Sequence, residues 1–178
     1  MQGDLERVLF DEAAILRRLD QIAAQISADY RDQELTVIAV LNGSLMFMAD
    51  LLRRIPLPLK LDCLGVASYH GRTESTGEVI LKQVAPDVKD RHILILDDIL
   101  DSGNSLAAVR EKLEMAQPLS VRVCVLLEKK KSRARPVKAD YVGFQIADEF
   151  VVGYGLDYME QYRNLPCIGV LRKDLIAS

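Results

Sequence analysis

What this chain can fold into is constrained most by residues 92–106, which read HILILDDILDSGNSL. Ile93, Leu94, Ile95 and Leu96 are consecutive aliphatics. A half-exposed strand alternates apolar and polar residues, whereas an unbroken aliphatic run suits a central parallel strand covered on both faces. Asp97, Asp98 and Asp101 follow, then Ser102-Gly103-Asn104-Ser105, with turn and capping chemistry. Leu106, Ala107, Val109 and Leu113 then continue at helical spacing. The order strand, acidic turn, helix start marks the place where α/β proteins bind ligands, outside the carboxyl ends of their strands.

The parts of this turn limit the ligand. Gly103 permits close backbone approach, and the unpaired N–H groups at a helix start make an anion seat to which Ser102 and Ser105 can add hydroxyls. Three carboxylates beside that seat would repel a bare phosphate. Ribose hydroxyls, or a divalent cation travelling with the phosphates, would satisfy Asp97 and Asp98. The pattern therefore predicts a seat for a phosphorylated sugar. A turn of solvated acids ahead of a helix is the plain alternative, and the order of the parts disfavours it.

The rest of the chain fits a single α/β domain over residues 1–178. Residues 11–30 carry Ile15, Leu16, Leu19, Ile22, Ala23 and Ile26 at helical spacing, with Asp11 or an earlier polar residue as cap. Residues 34–41 read as the first strand, and 45–55 as an apolar helix. Asn42-Gly43-Ser44 between them is either a second anion seat or a tight turn with Ser44 as N-cap. Strands are expected over 59–69, 78–84 and 119–127, with short candidates at 141–144, 150–155 and 167–171. Alternation of strands and helices predicts a parallel sheet. The polar segment 70–77 reads as a mobile loop of the kind that serves as a lid. The basic run 128–135 reads as a solvated loop in preference to a nucleic-acid patch, and a net charge of −3 gives no general reason for nucleic-acid binding. Cys63, Cys124 and Cys167 are widely spaced in apolar surroundings and read as reduced core thiols. With no leader-like start and no membrane-length apolar run, a cytoplasmic protein without a membrane partner is expected.

The run 92–106 resembles the signature of the type I phosphoribosyltransferases: aliphatic strand, two acids, two apolar residues, Asp-Ser-Gly and a second hydroxyl. Residues 138–144, 150–158 and 162–166, with 41–44, Ser68-Tyr69 and 75–77, are similar to the 6-oxopurine branch, the hypoxanthine(-guanine) enzymes of bacterial type. This likeness runs from about Glu34 to Leu171. It implies the type I fold: a central parallel sheet flanked by helices, with a small hood region and a mobile active-site loop. It also implies transfer of ribose 5-phosphate from phosphoribosyl pyrophosphate to hypoxanthine or guanine with Mg²⁺, in a homodimer or homotetramer.

Residue by residue, the resemblance implies that Asp97 and Asp98 hold the ribose hydroxyls and help place magnesium, with Asp157 taking a share of a second ion. Asp101, Ser102, Gly103, Asn104 and Ser105 would cradle the 5-phosphate, and Asp101 would serve as general base at purine N7. Leu41, Asn42 and Gly43, where the family commonly has a cis peptide, would offer backbone N–H groups to pyrophosphate, and Arg163 would add charge there. Phe150 would stack on the purine, Val151 would bond its edge through the backbone, and Ser68 and Tyr69 would close over the site. Lys138 would donate to O6; an ammonium group has donors only, so it fits a 6-oxo group and leaves the 6-amino group of adenine unpartnered. A neighbouring phosphate is expected to raise the Asp101 carboxyl pKa and make it a better base.

Departures from the family pattern are local. Asp97 stands where many relatives have Glu and would reach its ligand through water; Asn104 replaces a larger or basic residue, and Asn42 a Lys. Two other readings compete: a regulator on the same fold that senses phosphoribosyl pyrophosphate and binds nucleic acid through 128–135, and a xanthine-preferring transferase. Intact Asp101 and the complete 138–166 segment weigh against the regulator.

Overall fold

The computed structural model describes residues 1–67, 80–81, 87–133 and 135–176. The expected lid residues Ser68 and Tyr69, the loop 70–77 and most of the expected strand 78–84 lie outside them.

The chain forms β1 (Leu5–Phe10), α1 (Glu12–Asp29), β2 (Leu35–Leu41), α2 (Leu45–Leu52), β3 (Leu59–Ala67), β4 (Ile80–Leu81) and β5 (His92–Leu100). Then follow α3 (Asn104–Glu114), β6 (Ser120–Lys129), β7 (Tyr141–Ile146), β8 (Val151–Val152) and β9 (Ile168–Leu171). One sheet has the order β4-β3-β2-β5-β6-β7, parallel throughout except for β4 at its edge. β5 is central, with Ile95 opposite Ile38 of β2 and Val123 of β6.

The aliphatic run behaves as its composition predicts. Leu94 and Leu96 point to one face and pack with Val37, Ala39, Leu126 and the buried stripe of α1 (Ile15, Leu19, Ile22, Ile26). Ile93 and Ile95 point to the other and pack with Ile38, Val40, Val125 and with Leu106, Val109 and Leu113 of α3. Each fully buried Leu or Ile contributes about 1.5–3 kcal/mol relative to exposure. A polar substitution at any of the four would open one of these layers. Asp11 caps α1 as expected, its Oδ1 accepting from Ala14 N at 2.7 Å.

Two features depart from the expectations. Residues 5–10, where no element is expected, form β1, which pairs antiparallel with β9 and, through it, with β8. This small second sheet closes over Val152, Leu165, Cys167 and Leu171, with Leu5 packed against them. It is the hood, and it carries the 150–158 segment. The second departure is at the start of the basic run. β6 extends through Lys129, whose residue surface is only 8% exposed, so the run does not begin as a solvated loop.

Candidate active site

A cleft of about 760 Å³ opens at the carboxyl ends of β2, β3 and β5. It is lined by Leu41 at the end of β2 with Asn42 and Gly43 after it, by Asp97, Asp98, Asp101, Ser102, Gly103 and Ser105 around the end of β5, and by Asp157 and Arg163 from the hood side. Residues from separate parts of the sequence therefore meet where the sequence analysis places the ligand. Asn104, Lys138, Phe150 and Val151 do not line this cleft. Lys138 lines a neighbouring cavity of about 310 Å³ with Lys131, Arg133, Pro136 and Val137, and Lys131 lines both spaces. Phe150 is partly exposed, with its ring edge-on to Tyr158 at 5.5 Å. Val151 is buried in β8, opposite Val170.

The end of β5 is tightly built. Asp97 Oδ1 accepts from Asp98 N at 3.1 Å, and Asp98 Oδ1 from Ile99 N at 2.8 Å. Burial, then the neighbouring Asp98 charge, pushes the Asp97 carboxyl well above the ordinary carboxylate range. Burial also raises Asp98, held back by its hydrogen bonds to Asp97 and Ile99 and by the positive charge of Arg163. Burial therefore disfavours the charged form of both acids.

Gly43 is required by Asp98. A Cβ at position 43 would stand 1.9 Å from Asp98 Oδ2. Gly155 is required in turn by Gly43: it has φ +103, and a Cβ there would stand 2.0 Å from Gly43 O. The Leu41–Asn42 peptide is cis. Ser44 stands at the N-cap of α2 after the turn, but its side chain does not cap the helix: its buried Oγ donates back to Val40 O at 2.5 Å. Arg163 is locked into the loop beside Gly43, donating to Gly155 O at 2.7 Å and pairing with Asp157 at 2.7 Å.

The turn into α3 follows the sequence logic. Gly103 adopts φ +82 as N-cap, a left-handed conformation that disfavours other residues, and the first turn of α3 faces the cleft through Ser105 and Leu106. The first N–H groups of a helix lack intrahelical partners, so this end can receive an anion.

Asp101 meets two lysines in the absence of the phosphate that was expected to raise its pKa. Burial raises its carboxyl, but hydrogen bonds and charge from Lys131 and Lys129 outweigh that, and the net shift is downward. In this state it is a held carboxylate, with Lys129 Nζ 3.1 Å from Oδ2 and Lys131 on Oδ1. Lys129, Lys131, their second partner Asp148 and the cleft residue Glu160 carry no local motif that marks them as site residues in the sequence. Inclusion of 128–129 in the apolar strand at 119–127 would have signalled Lys129, because a lysine closing a buried strand needs a partner.

Comparison with known proteins places this site in context. The family model described as "Phosphoribosyl transferase domain" matches residues 8–159. A curated hypoxanthine-guanine phosphoribosyltransferase of Staphylococcus epidermidis is 46% identical over 179 residues, covering 100% of both chains. A crystal structure of a hypoxanthine phosphoribosyltransferase from Staphylococcus aureus superposes with a TM-score of 0.95 at 42% identity, covering 100% of this chain and 97% of that one. A Bacillus anthracis hypoxanthine-guanine phosphoribosyltransferase, solved with HEPES in its active site, gives 0.88 at 38% identity, over 94% and 99%.

Proposed function

Because the chain belongs to the phosphoribosyltransferase family, we propose that it is a single-domain purine salvage enzyme that moves the 5-phosphoribosyl group from phosphoribosyl pyrophosphate to hypoxanthine or guanine, giving IMP or GMP and pyrophosphate. The relatives named above supply the substrate class. The observation that carries the reading is the meeting, in one cleft, of the Asp97–Asp98 pair, the start of α3 and the turn 41–43. A ribose bearing a phosphate at one end and a pyrophosphate at the other needs two anion seats with hydroxyl acceptors between them. All three groups line the one cleft.

The roles follow from the chemistry. The backbone and hydroxyls of 102–105 receive the 5-phosphate. Asp98 and Asp97 accept from the ribose hydroxyls. Backbone N–H groups of 41–43 and the Arg163 charge meet the leaving pyrophosphate, whose charge grows as the bond at ribose C1 weakens. Asp101 receives the proton from purine N7. A carboxylate held below its ordinary pKa is a weaker base, so the approach of the purine must loosen the lysines first. Lys138 reads the 6-oxo group, while Phe150 and Val151 cover the ring and bond its edge.

Mg²⁺ fits the same residues. No three His, Cys, Asp or Glu groups among the described residues converge as a metal cage. Magnesium needs none, since it takes one or two carboxylates and completes its shell with water and substrate phosphates. Burial disfavours the charged forms of Asp97 and Asp98, and a divalent cation bound beside them would favour those forms again. Asp97, Asp98 and Asp157 would hold the ions. Bound there, magnesium supplies charge neutralisation for the departing pyrophosphate.

The test is direct: the protein is incubated with magnesium, phosphoribosyl pyrophosphate and each of hypoxanthine, guanine and xanthine, and nucleotide is quantified. IMP or GMP formation is expected. No product from any base would overturn the proposal, and a clear preference for xanthine would replace the acceptor named here.

A further inference from the structure

Asp148 lies in the loop between β7 and β8, two residues before Phe150, and lines neither the cleft nor the Lys138 cavity. Its carboxylate nevertheless reaches the site through two lysines. Lys129 Nζ stands 3.0 Å from Asp148 Oδ1 and 3.1 Å from Asp101 Oδ2. Lys131 Nζ stands 3.2 Å from Asp148 Oδ1 and also pairs with Asp101 Oδ1. Two cations thus share two carboxylates, one in the sugar-phosphate turn and one in the segment leading to the residues assigned to the base.

The lysines are not equivalent. Lys129 has a side chain only 10% exposed; leaving its partners would strand an ammonium group away from water. Lys131 has a side chain 30% exposed and borders both cavities, so it can move while staying solvated. Lys129 is the fixed pillar and Lys131 the movable partner.

We propose that Asp148 is a positioning residue for Asp101: it offers Lys131 a second seat, so that this lysine can leave the Asp101 carboxylate when the ring nitrogen of the base arrives. The inference rests on the assignment of Asp101 to the base. Without Asp148, two ammonium groups close on a single carboxylate, and the incoming base must compete with both.

The test uses the full chain with purine and sugar donor varied in turn. Asp148→Asn is expected to lower kcat/KM for the purine roughly two- to fivefold, the range of a partly exposed ion pair, while KM for the sugar donor holds. Asp148→Glu should retain most activity. Lys131→Met in the Asp148→Asn background should recover most of the loss, because the competing ammonium is gone. An unchanged purine kcat/KM in Asp148→Asn overturns the inference, as does an equal loss toward both substrates or a failure of Lys131→Met to restore activity. Asp101→Asn reports separately on the underlying assignment. If its kcat is normal, the base reading falls. If its kcat collapses while Asp148→Asn is silent, only the positioning role falls.

Discussion

Replacing Gly43 by Ala tests how the acids assigned to the ribose hydroxyls are held. The position has no positive φ, so the backbone itself tolerates Ala. The obstacle is the Asp98 side chain, whose Oδ2, Cγ and Oδ1 lie 1.9, 2.5 and 3.0 Å from the new Cβ. Turning the carboxylate about its last bond leaves Cγ where it is, so the whole side chain must swing. That swing breaks the 2.8 Å bond from Ile99 N to Asp98 Oδ1. A hydrogen bond to a charged group is worth about 1.5–3 kcal/mol, and overpacking of a tight site costs about 1–3 kcal/mol. These are two descriptions of one displacement, so the net loss is about 2 kcal/mol. For a domain of this length that lowers Tm by roughly 4–8 °C. Moving Asp98 off the ribose hydroxyls should raise KM for phosphoribosyl pyrophosphate about 10- to 100-fold. Thermal unfolding and initial rates with the donor varied measure both effects. Adding Asp98→Ala should return Tm toward wild type without restoring activity, since it removes the clashing group. A Gly43→Ala protein with normal Tm and donor KM, or a double variant as unstable as the single one, would refute the reasoning.

Asp101→Asn should lower kcat by about 10²–10⁴ while donor binding, followed by calorimetry, largely survives. Asp101 also carries a pH signature. Its folded carboxyl is lowered by Lys131 and Lys129, so its stabilisation is present above the ordinary carboxylate pKa and is lost as pH falls through the lower folded value. Denaturant midpoints of wild type and Asp101→Asn should therefore differ most near neutrality and converge below about pH 4. Lys138→Ala should depress kcat/KM for hypoxanthine far more than donor binding, and equal losses would remove its role at O6.

The parallel sheet was legible in the sequence because its signals are local. An aliphatic run wide enough for two faces, glycine turns and a 3.6-residue apolar period fix β5, α3 and α1 without knowledge of their neighbours. β1 was not legible for the opposite reason. Residues 5–10 bury little of their own surface, and their partner is β9, with Phe10 opposite Ile168. No window along the chain contains both strands. That the turn after β5 lines the cleft was legible for the same local reason, since Asp97 to Ser105 are contiguous. The direction of the Asp101 shift was not, because it depends on Lys129 and Lys131, which follow the next strand. A charged run shows its composition in sequence but not which of its members the sheet carries inward.

The pairing of β1 with β9 also orders the birth of the protein. Residues 35–129, which span β2 to β6 with α2 and α3, leave the ribosome as one block. The hood sheet must wait for residue 171, roughly 2–8 s later at about 5–20 residues per second. During that interval β1 has been made but has no partner strand. The turn assigned to the sugar phosphate can therefore be shaped while the segment assigned to choosing the base is still being synthesised, which makes the first ten residues the latch that the last strand closes.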